Sequence, residues 1–112
     1  MSIEITVRHK GIEIDMQEYA RNRAEQIVAE FPRIEHAHLI LDKEKHLSLA
    51  EMIVQAGSHV RMEAAESDEN MRVSVDSAVD KIERQLRKQM DKMQDHRSAK
   101  KHSENAKEGV EQ

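Results

Sequence analysis

MRVSVDSAVDKIERQLRKQMDK, residues 71–92, carries its apolar side chains at helical spacing rather than in alternation. At about 100° per residue, Val75, Ala78, Val79, Ile82, Leu86 and Met93 fall on one face, with Met90 at its margin. Such a face requires a core to lie on. Lys81, Arg84, Lys88 and Lys92 form a second stripe within about 80° of one another, and Asp76, Asp80, Glu83 and Asp91 take the opposite flank together with Arg87. Surface helices usually alternate charge signs to gain weak i,i+4 pairs, so cations sorted onto one side suggest a polyanionic partner. The plainer reading, cations held on a solvated face for solubility, accounts for the same residues.

Upstream of this helix the period changes to two. Residues 2–8 alternate Ile3, Ile5 and Val7 with Glu4, Thr6 and Arg8, as a strand with one buried face does. Asp15, with Glu18 reaching back, can cap a first helix whose apolar positions are Met16, Ala20, Ala24, Ile27, Val28 and Phe31, and Pro32 stops it. Residues 34–43 read as a strand with Ala37, Leu39 and Leu41 on one side and His36, His38 and Ile40 on the other. Residues 49–56 form a third strand with Ala50, Met52 and Val54 inward, and Gly57 and Ser58 turn the chain into a fourth, where Val60, Met62 and Ala64 face in. Ser67 or Asp68 can cap the long second helix, expected to run to about His96. The order β-α-β-β-β-α implies an α+β fold, a four-stranded sheet with two helices packed on one face. Residues 1–97 make the one domain, and 98–112, without apolar period, are expected to be a disordered polar tail.

Composition narrows the function classes. With 112 residues, 36% charged side chains and no apolar run near the roughly 20 residues that span a bilayer, the expectation is a single soluble, cytoplasmic domain without a membrane role. The absence of cysteine excludes disulfides and thiolate zinc sites. One Phe, one Tyr and no Trp leave few platforms for stacking single-stranded bases. The net charge of −4 conceals a strong asymmetry: residues 1–80 hold 9 Lys and Arg against 16 Asp and Glu, whereas residues 81–101 hold 8 against 3. The basic charge is concentrated on the second helix.

Catalysis finds no support, since no nucleophile and base pair at a diagnostic spacing and the glycines, Gly11, Gly57 and Gly109, form no phosphate-cradling loop. No cofactor and no small-molecule substrate are implied. His36 and His38 share a strand face that His59 could join, but without a carboxylate constellation they read as a solvated face rather than a metal site. Arg23, the basic residue of the first helix closest to its packed side, could be set beside the second helix. Four to six cations on a rigid surface suit the phosphate rows of folded RNA, which is read largely by shape and backbone.

From Asn70 the run NMRVSVDSAVDKIERQLRK resembles the second-helix signature of the ribosome hibernation promoting factor and ribosome-associated inhibitor family. That pattern is D-M-Y-x-A-I-D-x-x-x-D-K-L-x-R-Q-L-x-K. Met71, Asp76, Asp80, Lys81, Arg84, Gln85, Leu86 and Lys88 match it without a gap, and similarity continues at Tyr19 and Arg23 in EYARNR and in LILDKEK of the second strand. Arg72 replaces the family tyrosine, Gln26 stands where a lysine is common, and the segment between Ile14 and Tyr19 is about two residues short.

The resemblance implies a ribosome hibernation factor that binds the small ribosomal subunit, alone or in the 70S ribosome, in the decoding cleft. There it would block mRNA and tRNA, inhibit translation and preserve idle ribosomes, as in stationary phase and stress. Its contacts to 16S rRNA would come from Lys81, Arg84 and Lys88, with Arg23 as an addition, while Arg87 and Lys92 follow from the charge pattern alone. Without the extra C-terminal dimerisation domain of long members, the sequence resembles a short form, expected to be a monomer off the ribosome. The alternative is a general structured-RNA-binding module without ribosome specificity.

Overall fold

The computed structural model describes residues 2–57 and 59–102, with side chains described through Gln89. The elements are β1 (Ser2–Val7), α1 (Ile14–Glu30), β2 (Ile34–Glu44), β3 (Leu47–Ala56), β4 (Val60–Asp68) and α2 (Met71–His102). This is the expected β-α-β-β-β-α order, an α+β fold. The four strands form one sheet in the order β1-β2-β3-β4, with β1 parallel to β2 and the other pairs antiparallel. α1 lies over β1 and β2, α2 lies over β3 and β4, and the two helices touch.

The core is the layer between sheet and helices. Val75, Ala78, Val79, Ile82 and Leu86 of α2 are buried against Met52, Val54, Met62 and Ala64 of the sheet. Ala20, Ala24, Ile27, Val28 and Phe31 of α1 complete it with Ala37, Leu39 and Leu41 of β2. The alternation read from the sequence therefore assigns the inner face of β2, β3 and β4. Ile3, Ile5 and Val7 pack only partly, because β1 is an edge strand with a neighbour on one side.

Several local features depart from expectation. α1 starts at Ile14 after Glu13, and no side chain caps it, so Asp15 lies inside the first turn instead of ahead of it. β4 extends through Asp68, which moves the cap of α2 from Ser67 or Asp68 to Asn70, whose Oδ1 accepts the Arg72 N–H at 2.9 Å. Asp68 instead accepts the Asn70 N–H at 2.9 Å and turns the chain into the helix. Pairing of Ala56 with Val60 leaves residues 57–59 as the connection rather than a two-residue turn. Gly57 sits there at φ 76°, the left-handed region that a side chain would resist; Ser58 lies outside the described residues.

A register shift between Ile34 and His36 explains how Ile34, on the outward parity of β2, is nonetheless buried in the core. Ser74 is fully buried on α2, and its hydroxyl donates to the Ser48 carbonyl at 2.8 Å, fastening helix to sheet. α2 continues past the expected end near His96 to His102, since Ser98, Ala99, Lys100 and Lys101 include no helix breaker. Of the expected polar tail, residues 103–112 lie outside the described residues.

Ile82 is fully buried at the centre of this layer. Ile82→Ala is expected to lower unfolding stability by roughly 2–5 kcal/mol and Asn70→Ala by about 1 kcal/mol, each read from the midpoint of urea denaturation.

Candidate nucleic-acid interface

Burial of one stripe of α2 fixes the direction of every other side chain on it. The flank toward α1 carries Asp76, Asp80, Glu83 and Arg87; the flank toward β4 carries Lys81, Gln85 and Lys88, and Arg84 points between the two, away from the sheet.

Toward α1 the charges are joined to one another. Asp76 Oδ1 accepts the Tyr19 hydroxyl at 2.5 Å and Arg23 Nε at 2.9 Å, and Arg23 Nη2 donates to Asp80 at 3.1 Å. Arg23 Nη1 reaches Gln26 Oε1 at 3.4 Å, so the guanidinium is a strut between the helices, with 23% of its side chain exposed. Arg72, which stands where the family pattern has tyrosine, lays its guanidinium 4.3 Å over the Tyr19 ring. Tyr19 titrates above the ordinary 10.0, first because its hydroxyl donates to Asp76, then because of burial and the Asp76 charge, with Arg23 and Arg72 opposing. Arg87 donates to Glu83 at 2.7 Å and to Glu30 of α1 at 2.6 Å, and lies 5.4 Å over the Phe31 ring.

Toward β4, Lys81 Nζ lies 2.5 Å from Glu66. Arg84 and Lys88 are exposed and make no ion pair or hydrogen bond among the described residues. The backbone of Lys92 belongs to α2 and its side chain lies outside the described residues. Of the six cations read from the sequence, the five with described side chains separate into two classes. Arg23, Lys81 and Arg87 hold carboxylates, whereas Arg84 and Lys88, one helical turn apart, are open to an outside anion. The partners Glu30 and Glu66 were beyond sequence reasoning, because Arg87 and Glu30 are 57 positions apart.

On the opposite sheet face, His36 and His38 do acquire a carboxylate neighbour that their spacing alone did not reveal. Parallel pairing sets Glu4 of β1 level with His38, its oxygens 3.7 Å from His36 Nε2 and 3.9 Å from His38 Nε2. Ser2 Oγ and His36 Nδ1 are 2.6 Å apart, and Thr6 Oγ1 and His38 Nε2 2.7 Å, so both rings are tied across β1. Among the described residues, no three His, Cys, Asp or Glu are arranged to hold a metal ion. No described helix is long and apolar enough to cross a membrane.

A four-stranded sheet with both helices on one face, presenting Arg84 and Lys88 unpaired among the described residues, is a small α+β module. Residues 3–94 match the family model described as Sigma 54 modulation protein / S30EA ribosomal protein, and the chain belongs to that family. It is a family of ribosome hibernation and subunit interface factors, which are not enzymes. The chain is 28% identical over 98 residues to the ribosome hibernation promoting factor of Salmonella typhimurium, covering 86% of this chain and all of that one. Among solved structures, a ribosomal subunit interface protein from Coxiella burnetii shares the fold with TM-score 0.69 and 23% identity, over 80% of this chain and 98% of the other. The N-terminal domain of Protein Y from Thermus thermophilus does so with TM-score 0.67 and 21% identity, over 79% and 98%.

Tyr19 is the one tyrosine and there is no tryptophan, so phenolate absorbance isolates it. Its midpoint is expected above pH 10, and Asp76→Asn should bring it down toward the ordinary value. Because the folded pKa is raised, the Tyr19 contribution to stability is full below about pH 10 and is lost as pH rises through the folded midpoint. A midpoint unmoved by Asp76→Asn would contradict the geometry.

Proposed function

We propose that the protein is a ribosome hibernation factor that binds the small ribosomal subunit in the decoding cleft. By occupying that cleft it blocks mRNA and tRNA, inhibits translation and preserves idle ribosomes in the cytoplasm. The observation that carries this reading is the pair Arg84 and Lys88. Both are exposed, carboxylate-free among the described residues, and placed on a helix locked to the sheet, in a chain of this family.

Phosphates of 16S rRNA are the anions this surface suits. An RNA backbone presents charge at regular intervals and is held by cations on a rigid scaffold, with counterion release supplying much of the affinity. Lys81 joins the contact by exchanging Glu66 for phosphate, and Arg87 by exchanging Glu30 and Glu83, since exposed ion pairs of this kind hold their partners weakly. Lys92, the last cation of the stripe read from the sequence, is the remaining proposed contact. Arg23 acts from behind: it fixes Asp76 and Asp80 and so keeps the acidic flank away from the RNA-facing side. Off the ribosome the protein is a monomer.

Arg84→Glu/Lys88→Glu protein is expected to lose co-sedimentation with small subunits while keeping its far-UV circular dichroism. For the parent, log affinity should fall with log salt, and loss of two phosphate contacts should reduce that slope by roughly 1.4–1.8. Undiminished co-sedimentation of the double variant would show that a different surface makes the contact. Equal binding to an unrelated RNA duplex at the same salt would favour a general RNA-binding module.

A further inference from the structure

Between β4 and α2, beside the open cations, runs a groove of about 460 Å³. Its walls include His59, Arg61 and Met62 from the strand side and Gln85, Lys88 and Gln89 from the helix. Among the described residues no carboxylate lines it. Two other hollows differ in this respect: one of about 300 Å³ on the open sheet face is lined by Asp42, Glu51 and Glu66, and one of about 200 Å³ near the start of α1 by Glu13 and Glu69.

We propose that the β4–α2 groove seats one unpaired nucleotide of an RNA chain. The proposal rests on the RNA-binding reading of α2 and deepens it, because phosphate contacts position an RNA chain but do not themselves read a base. Gln85 and Gln89 are one turn apart and project to the same side. Each amide offers both a donor and an acceptor, the pairing needed at the polar edge of a base. Gln85 reaches only the Glu63 carbonyl, at 3.4 Å, and Gln89 has no partner among the described residues. Met62, 7% exposed, supplies an apolar floor. Lys88 stands at the helix wall to take the phosphate of the same nucleotide, while Arg61 is neutralised by Glu63. A base in this groove is read at its edge by the glutamines, and neither the single Phe nor the single Tyr of the chain is part of it, since they lie against Arg87 and Arg72. The volume, about 460 Å³, is enough for one nucleotide.

The test compares the full chain on two RNA hairpins that differ only by one bulged nucleotide. The parent is expected to bind the bulged hairpin roughly tenfold tighter, the scale of one good polar contact to a base edge. Gln89→Ala and Gln85→Ala, made singly, should each reduce that preference to about twofold or less while leaving affinity for the fully paired hairpin unchanged. Equal binding of the two hairpins by the parent, or a preference that survives both substitutions, would overturn the proposal. So would displacement of the bulged hairpin by micromolar free nucleoside monophosphate, which would make the groove a site for soluble nucleotides. Failure of the ribosome reading shows separately, as undiminished small-subunit binding by the Arg84→Glu/Lys88→Glu protein.

Discussion

The rotational setting of α2 is the constraint on which everything else depends. Val75, Ala78, Val79, Ile82 and Leu86 are withdrawn from water against the sheet, and rotating the helix by even one residue would expose several of them. At about 25 cal/mol per Å² of apolar surface, such a rotation costs far more than any surface charge pair returns. Hydrophobic burial thereby aims the charges: it sends Asp76 and Glu83 toward α1, Lys81 toward β4, and Arg84 outward. The polar surface is a by-product of the apolar one, held to within the tolerance of a packed core.

Charges are then sorted a second time by contact. A stripe of cations on a helical projection gives all of them equal standing, yet the carboxylates of neighbouring elements do not treat them equally. Glu66 meets Lys81, Glu30 and Glu83 meet Arg87, and Asp76 with Asp80 meets Arg23. What stays open is the part of the stripe that no acidic neighbour reaches. Arg72 shows the same principle from another direction: the departure from the family tyrosine places a cation on the face of Tyr19, where the ring quadrupole favours positive charge.

Much of the architecture was legible because it rests on period alone. Alternation assigned the inward set Ala50, Met52 and Val54, and a 3.6-residue repeat assigned the inner faces of both helices. Boundaries were less legible: α1 starts ahead of Asp15 without a side-chain cap, and the choice among Ser67, Asp68 and Asn70 for α2 depends on how far β4 extends. The buried Ile34 escaped detection because a bulge inverts strand parity without leaving a residue-type signature. Within the candidate site, membership of the stripe was readable and pairing was not. Glu30 and Glu66 become partners only through packing of distant segments, and Glu4 reaches His36 and His38 only through a parallel register.

That parallel register also bears on how the chain reaches this fold. β2, β3 and β4 follow one another through short connections, so their pairing closes small loops at low entropic cost. β1 is synthesised first, yet Ser2 must wait for His36, with all of α1 in between, before it has anything to bond. The meander is the kinetically accessible part of the sheet, and β1 is the slow, non-local addition at its edge. The two hydroxyl–imidazole contacts between β1 and β2 lie on this last seam, so they report on completion of folding rather than on its beginning.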